Sequence, residues 1–101
     1  MARVALPRLA GPREAVADLL EEQNVAGDLA GDSLVVFASE LTSGSSSFAD
    51  ELVREALEER KAQHLVLVGP PKLFQERVVA SAERRGFSER VRTASGAEVA
   101  V

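Results

Sequence analysis

The residues with the richest chemistry stand together at positions 43–52, in the segment SGSSSFADEL. Four serine hydroxyls surround a single glycine, and the carboxylates of Asp50 and Glu51 follow directly. Such a segment could hold a nucleophile, cradle a phosphate, accept a phosphoryl group or cap a helix. The elements around it must decide among these four uses.

Two catalytic uses find little support in the sequence. A serine nucleophile needs a nearby base, and the only histidine, His64, stands at the start of a predicted strand, whereas the active edge would lie at strand ends. A Walker-type phosphate loop needs a lysine after its glycines, and this segment offers only Gly44 and no lysine. The acidic residues follow a helix face in the pattern of solvation, so no metal site is expected.

Two further uses remain open. Ser47 and Asp50 match a capping box, in which the hydroxyl accepts a backbone N–H bond while the carboxylate reaches back. A phosphate on Ser46 or Ser47 would end that capping role and would stand beside Asp50 and Glu51, so repulsion would oppose the favourable helix dipole. Phosphorylation would therefore reshape the surface of the loop.

The apolar pattern predicts an α/β fold with a mainly parallel or mixed sheet of four strands and about three helices. Short apolar runs alternate with helix-spaced apolar residues, which is typical of right-handed crossovers. The serine segment would then follow a central strand at its carboxyl end, where open α/β sheets bind ligands. The predicted strands are 2–6, 33–39, 64–68 and 90–94, with the last at an edge, and the predicted helices are 11–23, 48–61 and 72–85.

Composition indicates one small domain, residues 1–101, in which 1–32 form the N-terminal strand and helix. The 101 residues are 46% hydrophobic and 28% charged, as in an ordinary globular protein. Cysteine is absent and no apolar run approaches the roughly 20 residues of a membrane span, so we expect a cytoplasmic protein that neither forms disulfides nor enters a membrane.

The charge is unevenly distributed along the chain. Residues 1–59 carry 4 basic and 12 acidic side chains, a balance of −8, whereas residues 60–101 carry 8 basic and 4 acidic, a balance of +4. The net charge of −4 argues against nucleic acid as the main ligand, because phosphate neutralisation needs a concentrated basic surface. The polarity predicts surface helices with solvated charges and could steer a partner protein.

Residues 33–93 resemble a known family through an apolar strand, a serine-rich turn, the helix start SFADEL, the strand and turn HLVLVGPPKLF, and ERRGFSERVRT. This pattern resembles the STAS-domain superfamily, and most closely its STAS-like branch of unknown function. Relatives of that branch include bacterial anti-sigma factor antagonists. The resemblance implies a small α/β domain that binds a protein, often an anti-sigma factor with a histidine-kinase-like ATPase fold.

In those antagonists the partner phosphorylates a serine in an Asp-Ser-Ser-Gly turn at the start of this helix, and phosphorylation releases the antagonist. The turn falls on Ser45, Ser46, Ser47 and Phe48, so the resemblance implies Ser47 as the phosphoacceptor and Ser46 as its neighbour. This chain has Ser45 in place of the aspartate and Phe48 in place of the glycine. Its N-terminal third reads as helical, where a typical antagonist opens with strands.

The sequence thus predicts a non-enzymatic regulatory module that needs no cofactor and binds a protein through the serine loop and the exposed face of the helix at 48–61. The predicted contact residues are Ser45, Ser46, Ser47, Phe48, Asp50, Glu51 and Arg54. Two alternatives stay open: an enzyme or small-molecule sensor that uses the same loop as an anion pocket, and a purely structural interaction domain.

Overall fold

Strands and helices alternate along the chain as the apolar pattern predicts. The computed structural model describes residues 1–94, and the weak tail predicted beyond them lies outside the described residues. In chain order the main elements are β1 (Ala2–Ala5), β2 (Leu9–Ala10), α1 (Ala15–Glu22), β3 (Ser33–Phe37), β4 (Ser43–Gly44), α2 (Ser46–Val53), β5 (His64–Val68), α3 (Lys72–Arg85) and β6 (Val91–Ala94). The predicted α/β class is confirmed.

The main sheet contains four parallel strands in the order β1-β3-β5-β6. Its central strands, β3 and β5, are the two apolar runs that the sequence marks as buried, and β6 lies at an edge as predicted. The register pairs Ser33 with His64 and Phe37 with Val68, so the two central strands begin and end side by side.

The three helices pack on one face of this sheet. When strand order follows chain order, right-handed crossovers place every connecting helix on the same side. The core agrees, because alternate residues of the central strands, such as Leu34 and Leu65, belong to one cluster with Leu20 of α1, Phe48 of α2 and Phe74 of α3. The core therefore lies between a helical layer and a sheet.

The second helix changes its winding at Arg54. Residues Arg54–Glu59 form a π-helix, and the Arg60 N–H returns to the carbonyl of Glu55 at 3.0 Å, a spacing of five residues. The predicted single helix over 48–61 is thus an α-helix that begins two residues earlier and continues as a π-helix. No glycine or proline occurs between residues 46 and 59, so the sequence carries no local signal for the change.

Helix α3 begins and ends where the sequence indicates. It starts directly after Pro71, and it ends at Gly86, whose φ of 78° is left-handed. The N–H of Gly86 reaches the carbonyl of Glu83, and the N–H of Phe87 reaches that of Ala82. These two bonds form a Schellman motif, which satisfies carbonyls that the helix end would otherwise leave unpaired.

A second, two-stranded sheet pairs β2 with β4 in parallel. The Thr42 N–H donates to the Arg8 carbonyl at 2.8 Å, and the Ser45 N–H donates to the Ala10 carbonyl at 2.9 Å. Two-residue strands leave no periodic pattern, so the sequence did not predict this sheet. Its consequence is that the serine segment is anchored to the chain just after β1.

Candidate functional site

The serine segment follows the carboxyl end of β3, on the side of the sheet where β5 also ends. The loops that follow these two strands touch. A Cβ on Gly69 would stand 2.4 Å from the Ser39 hydroxyl, and the φ of Gly69 is 63°. Glycine therefore allows the loop after β5 to approach the loop that leads to the serines.

Ser45, and not Ser47, caps helix α2. Its backbone is extended and its hydroxyl oxygen accepts the Phe48 N–H at 3.0 Å, the usual geometry of an N-cap. The same hydroxyl donates to the Gly11 carbonyl at 2.5 Å and so ties the helix start to the segment before α1. The predicted capping box of Ser47 with Asp50 is wrong, because α2 begins two residues earlier than its apolar stripe suggests.

Ser46 and Ser47 are both exposed in the first turn of α2. Ser45 is only partly exposed because it is fixed between the helix and Gly11. Both predicted phosphoacceptors, Ser47 and Ser46, therefore have hydroxyls at the surface, one helical turn before Asp50 and Glu51.

Phe48 belongs to the core. Its side chain is 1% exposed, and its ring lies 6.4 Å from that of Phe74, tilted by 47°. The prediction that Phe48 contacts a partner is corrected, because a side chain that joins α2 to α3 offers no surface. An aromatic residue on the apolar stripe of a helix is more often buried.

Asp50 is the centre of an ion-pair cluster that joins the helices. Its carboxylate accepts bonds from Arg85 at 2.9 and 3.1 Å, from the fully buried Ser81 at 2.7 Å, and from Arg13 at 3.1 Å. The Arg85 hydrogen bonds, followed by those of Ser81 and Arg13, hold the pKa of Asp50 well below its ordinary value although partial burial opposes this. Asp50 therefore stays ionised and internally engaged.

Glu51 is buried and paired in the same way. Arg54 donates to its two oxygens at 2.9 and 2.6 Å, and Arg13 adds a bond at 3.1 Å. The pKa of Glu51 is lowered, chiefly by Arg54 and then by Arg13, against the effect of burial. The expectation that these acids form a solvated face is wrong, since Asp50 pairs with Arg13 and Arg85, and Glu51 pairs with Arg13 and Arg54.

Two exposed leucines border the serine segment. Leu9 is 71% exposed and pairs in register with Ser43, and Leu73, 56% exposed, lines a cavity of about 70 Å³ with Ser43 and Gly44. We call the set Leu9, Thr42, Ser43, Gly44, Ser46, Ser47 and Leu73 the serine-loop surface.

The two leucines of this surface were not among the predicted contact residues. The buried stripe of α3 starts at Phe74 and continues through Val78 and Ala82, and Leu73 lies outside it. An apolar residue off the buried stripe is a signal of an exposed apolar contact, and Leu73 carries that signal. Leu9 follows Pro7 and gave no such signal.

Gly44 sets how closely the serine segment approaches α3. A Cβ at this position would lie 2.4 Å from Cδ1 of Phe74. The Gly44 carbonyl accepts a bond from Arg77 at 2.5 Å, which fixes the floor of the small cavity. The glycine is therefore required by a close approach rather than by loop flexibility.

His64 lies at the amino ends of the central strands, opposite the end that the serines follow, as predicted. It pairs with Ser33, at the start of both central strands, whereas the serine segment follows their ends. No serine-histidine pair forms at the serine loop. Within residues 1–94 there is also no cluster of three potential metal ligands.

Comparison of the chain with known protein families, curated proteins and solved structures gave no match. Over residues 1–94, each helix is too short or too polar to cross a membrane.

Proposed function

We propose that the protein is a non-enzymatic regulatory module that binds a partner protein through the serine-loop surface. The observation that carries this proposal is the exposure of Leu9 and Leu73, which both lie next to β4, directly before the turn that presents Ser46 and Ser47. Apolar anchors supply the core of a protein interface, and polar groups around them form its rim.

The size of the neighbouring cavity supports a protein over a small molecule at this surface. The cavity beside Leu73 measures about 70 Å³. Pockets for small ligands typically have volumes of about 300–1,000 Å³. The alternative reading, a sensor or enzyme with an anion pocket at the same loop, therefore has less support than a surface contact.

The resemblance to STAS-like domains suggests the kind of partner. By that likeness the partner is an anti-sigma factor or another regulator with a histidine-kinase-like ATPase fold, in the cytoplasm. The cap at Ser45 is compatible with the likeness, because serine and the aspartate of the antagonist turn are both preferred N-cap residues. Phe48, in place of the turn's glycine, serves the core instead.

Phosphorylation at Ser47, or at Ser46, is the switch we propose for this surface. A phosphate adds about −1.5 to −2 charge at pH 7. The carboxylates of Asp50 and Glu51 are already paired with arginines. Their repulsion of a phosphate at the start of α2 would therefore be weakened. The added charge would therefore act mainly on partner binding. It would lie near Leu9 and Leu73, and an apolar contact made by these leucines would be weakened by a charge beside it.

A quantitative pull-down with identification of the captured proteins tests this proposal. The baits are the wild type, Ser47→Ala, Ser47→Glu and the double variant Leu9→Ser, Leu73→Ser, with Glu21→Gln on α1 as a matched surface control. We expect an ATPase-like regulator on the wild type, Ser47→Ala and the control, and its loss from the other two. Equal capture by all five baits would remove the serine-loop surface as the binding site.

A further inference from the structure

A second surface lies at the amino ends of the central strands, where β3 and β5 begin, on the side of the sheet opposite the serine loop. An open depression of about 630 Å³ is bordered by residues before β3, by the turn between the π-helix and β5, and by the turn before β6. Its lining includes Gly31, Lys61, His64, Glu89 and Arg90. The depression is wide and open, unlike the small cavity at the serine loop, so a ligand bound there would keep one side in solvent.

The charge of this depression is opposite in sign to that of the whole chain. Lys61 and Arg90 line it, and Arg92 reaches its wall through His64, whereas Glu89 is the one acid among the lining residues of the described chain. The salt bridges of residues 1–94 involve none of Lys61, Arg90 and Arg92. These cations thus differ from Arg13, Arg54 and Arg85, whose charges are balanced by neighbouring carboxylates.

Arg90 supplies its charge from a fixed position. Its guanidinium donates to the carbonyls of Leu57 and Ala62, and its carbon lies 4.9 Å from the centre of the Phe87 ring. The carbonyls at the end of the π-helix are therefore occupied by a cation, which offsets the negative end of the helix dipole near the depression.

His64 lines the same depression and contacts Arg92. Arg92 Nη2 lies 3.2 Å from His64 Nε2, so the exposed Arg92 side chain is held against a residue that lines the depression. The cationic donors of a lysine and an arginine match the acceptor oxygens of a carboxylate or phosphate.

The backbone of Lys61 gives an independent indication. Within residues 1–94, three helix ends use a left-handed residue, namely Asn24 at φ 60°, Lys61 at φ 61° and Gly86 at φ 78°. Asparagine and glycine are the usual residues there, whereas a lysine side chain makes this backbone unfavourable. Lys61 thus has a strained backbone at a position that lines the depression, and strained residues cluster at binding sites.

We propose that this depression binds the carboxylate or phosphate group of a small anionic ligand through Lys61, His64 and Arg92. The site is independent of the serine-loop surface and lies at the other edge of the sheet. Arg90 contributes its field, and Gly31 allows the tight turn, at φ 79°, that borders the site.

Amide NMR titrations of the full chain with inorganic phosphate, and separately with citrate, test the proposal at constant ionic strength. We expect saturable shifts confined to residues near Gly31, Lys61, His64 and Arg92. Saturation by phosphate alone would assign a phosphate ligand, by citrate alone a carboxylate ligand, and by both an oxyanion of either kind. Shifts that rise linearly without saturation with both anions would overturn the site.

The decisive variant is Lys61→Gly, which keeps the left-handed backbone and removes the cation. We expect roughly tenfold weaker anion binding with an unfolding temperature equal to or above that of the wild type. Arg92→Gln, at an exposed strand position, should weaken binding similarly, and Lys72→Gln at the opposite edge should leave it unchanged. Binding that is equal in Lys61→Gly, Arg92→Gln and Lys72→Gln would show that these cations hold no ligand.

Discussion

Three consecutive serines have different roles because each occupies a different position relative to the first turn of one helix. Ser45 stands just before α2, so its hydroxyl meets the Phe48 N–H, while Ser46 and Ser47 stand inside the turn and face solvent. A hydroxyl that bonds both a helix N–H and the Gly11 carbonyl is part of the fold. The two exposed hydroxyls are the ones left for recognition.

The first prediction separates these roles by stability. Ser45→Ala should lower the free energy of unfolding by about 1–2 kcal/mol, since it removes a cap and leaves an N–H unpaired. Ser47→Ala, at an exposed position, should change it by less than about 0.5 kcal/mol. Urea unfolding of both variants measures the difference. Equal losses would mean that Ser45 is not the cap in solution.

The second prediction concerns Gly44. Gly44→Ala should destabilise the protein by about 1–3 kcal/mol, because the new methyl group must displace the Phe74 ring or the serine segment. Gly27→Ala is the matched control, since a Cβ there meets nothing within 4 Å. Thermal unfolding compares the two. If Gly44→Ala is as stable as its control, the serine segment can move away from α3 without a loss of stability.

At the scale of elements, the acidic face of α2 joins helices. Asp50 accepts hydrogen bonds from Arg85 of α3 and from Arg13 of the segment before α1, and Glu58 of the π-helix that continues α2 pairs with the same Arg85 at 3.0 Å. The interaction between α2 and α3 thus combines the Phe48–Phe74 contact with a charged seam beside it. Charge on this face of the helix holds the helical layer together.

The third prediction is the pH dependence of that seam. The folded pKa of Asp50 is lowered by Arg85 first, so the stability it contributes is present above its unfolded pKa of about 3.9 and is lost as the pH falls further. Glu51 acts with the same sign. We expect the unfolding free energy to be flat near neutrality and to drop below about pH 4.

Asp50→Asn tests the source of that acid sensitivity. The variant should be less stable at pH 7 and should lose less stability than the wild type between pH 5 and pH 3, because a titrating group has been removed. Asp18→Asn, at an exposed position of α1, is the control and should follow the wild-type curve. Parallel curves for all three proteins would place the acid sensitivity elsewhere.

At the scale of the whole molecule, the two differently charged parts of the chain meet in space. Arginines from the basic part, such as Arg85 and Arg60, pair with Asp50 and Glu55 of the acidic part. The charge polarity in the sequence thus stabilises the fold at the helical layer. The basic residues around the depression, including Lys61 and Arg92, remain for other interactions.

The fourth prediction follows from the strand order. Amide protons of β3 and β5 should exchange most slowly, because both strands have neighbours on either side and lie over the core. Those of β1 and β6, at the edges, should exchange faster. Hydrogen exchange read by NMR measures this ranking. Faster exchange in β3 than in β6 would contradict the strand order.

The sequence alone determined the fold class and the approximate positions of the three helices and of the four strands of the main sheet. Continuous apolar runs placed β3 and β5 in the middle of the sheet, and Pro71 and Gly86 placed the two ends of α3. These features are local, since side-chain periodicity and the backbone preferences of proline and glycine act within a few residues.

Only the tertiary structure decided which side chains of that region are available. The Ser45 hydroxyl bonds Gly11, and Asp50 binds Ser81 and Arg85, partners that stand 34, 31 and 35 residues away. Leu9 came beside Ser43 through a sheet too short to leave a pattern. Contacts over such separations depend on how the layers pack, and a one-dimensional pattern carries no record of which distant residues will meet.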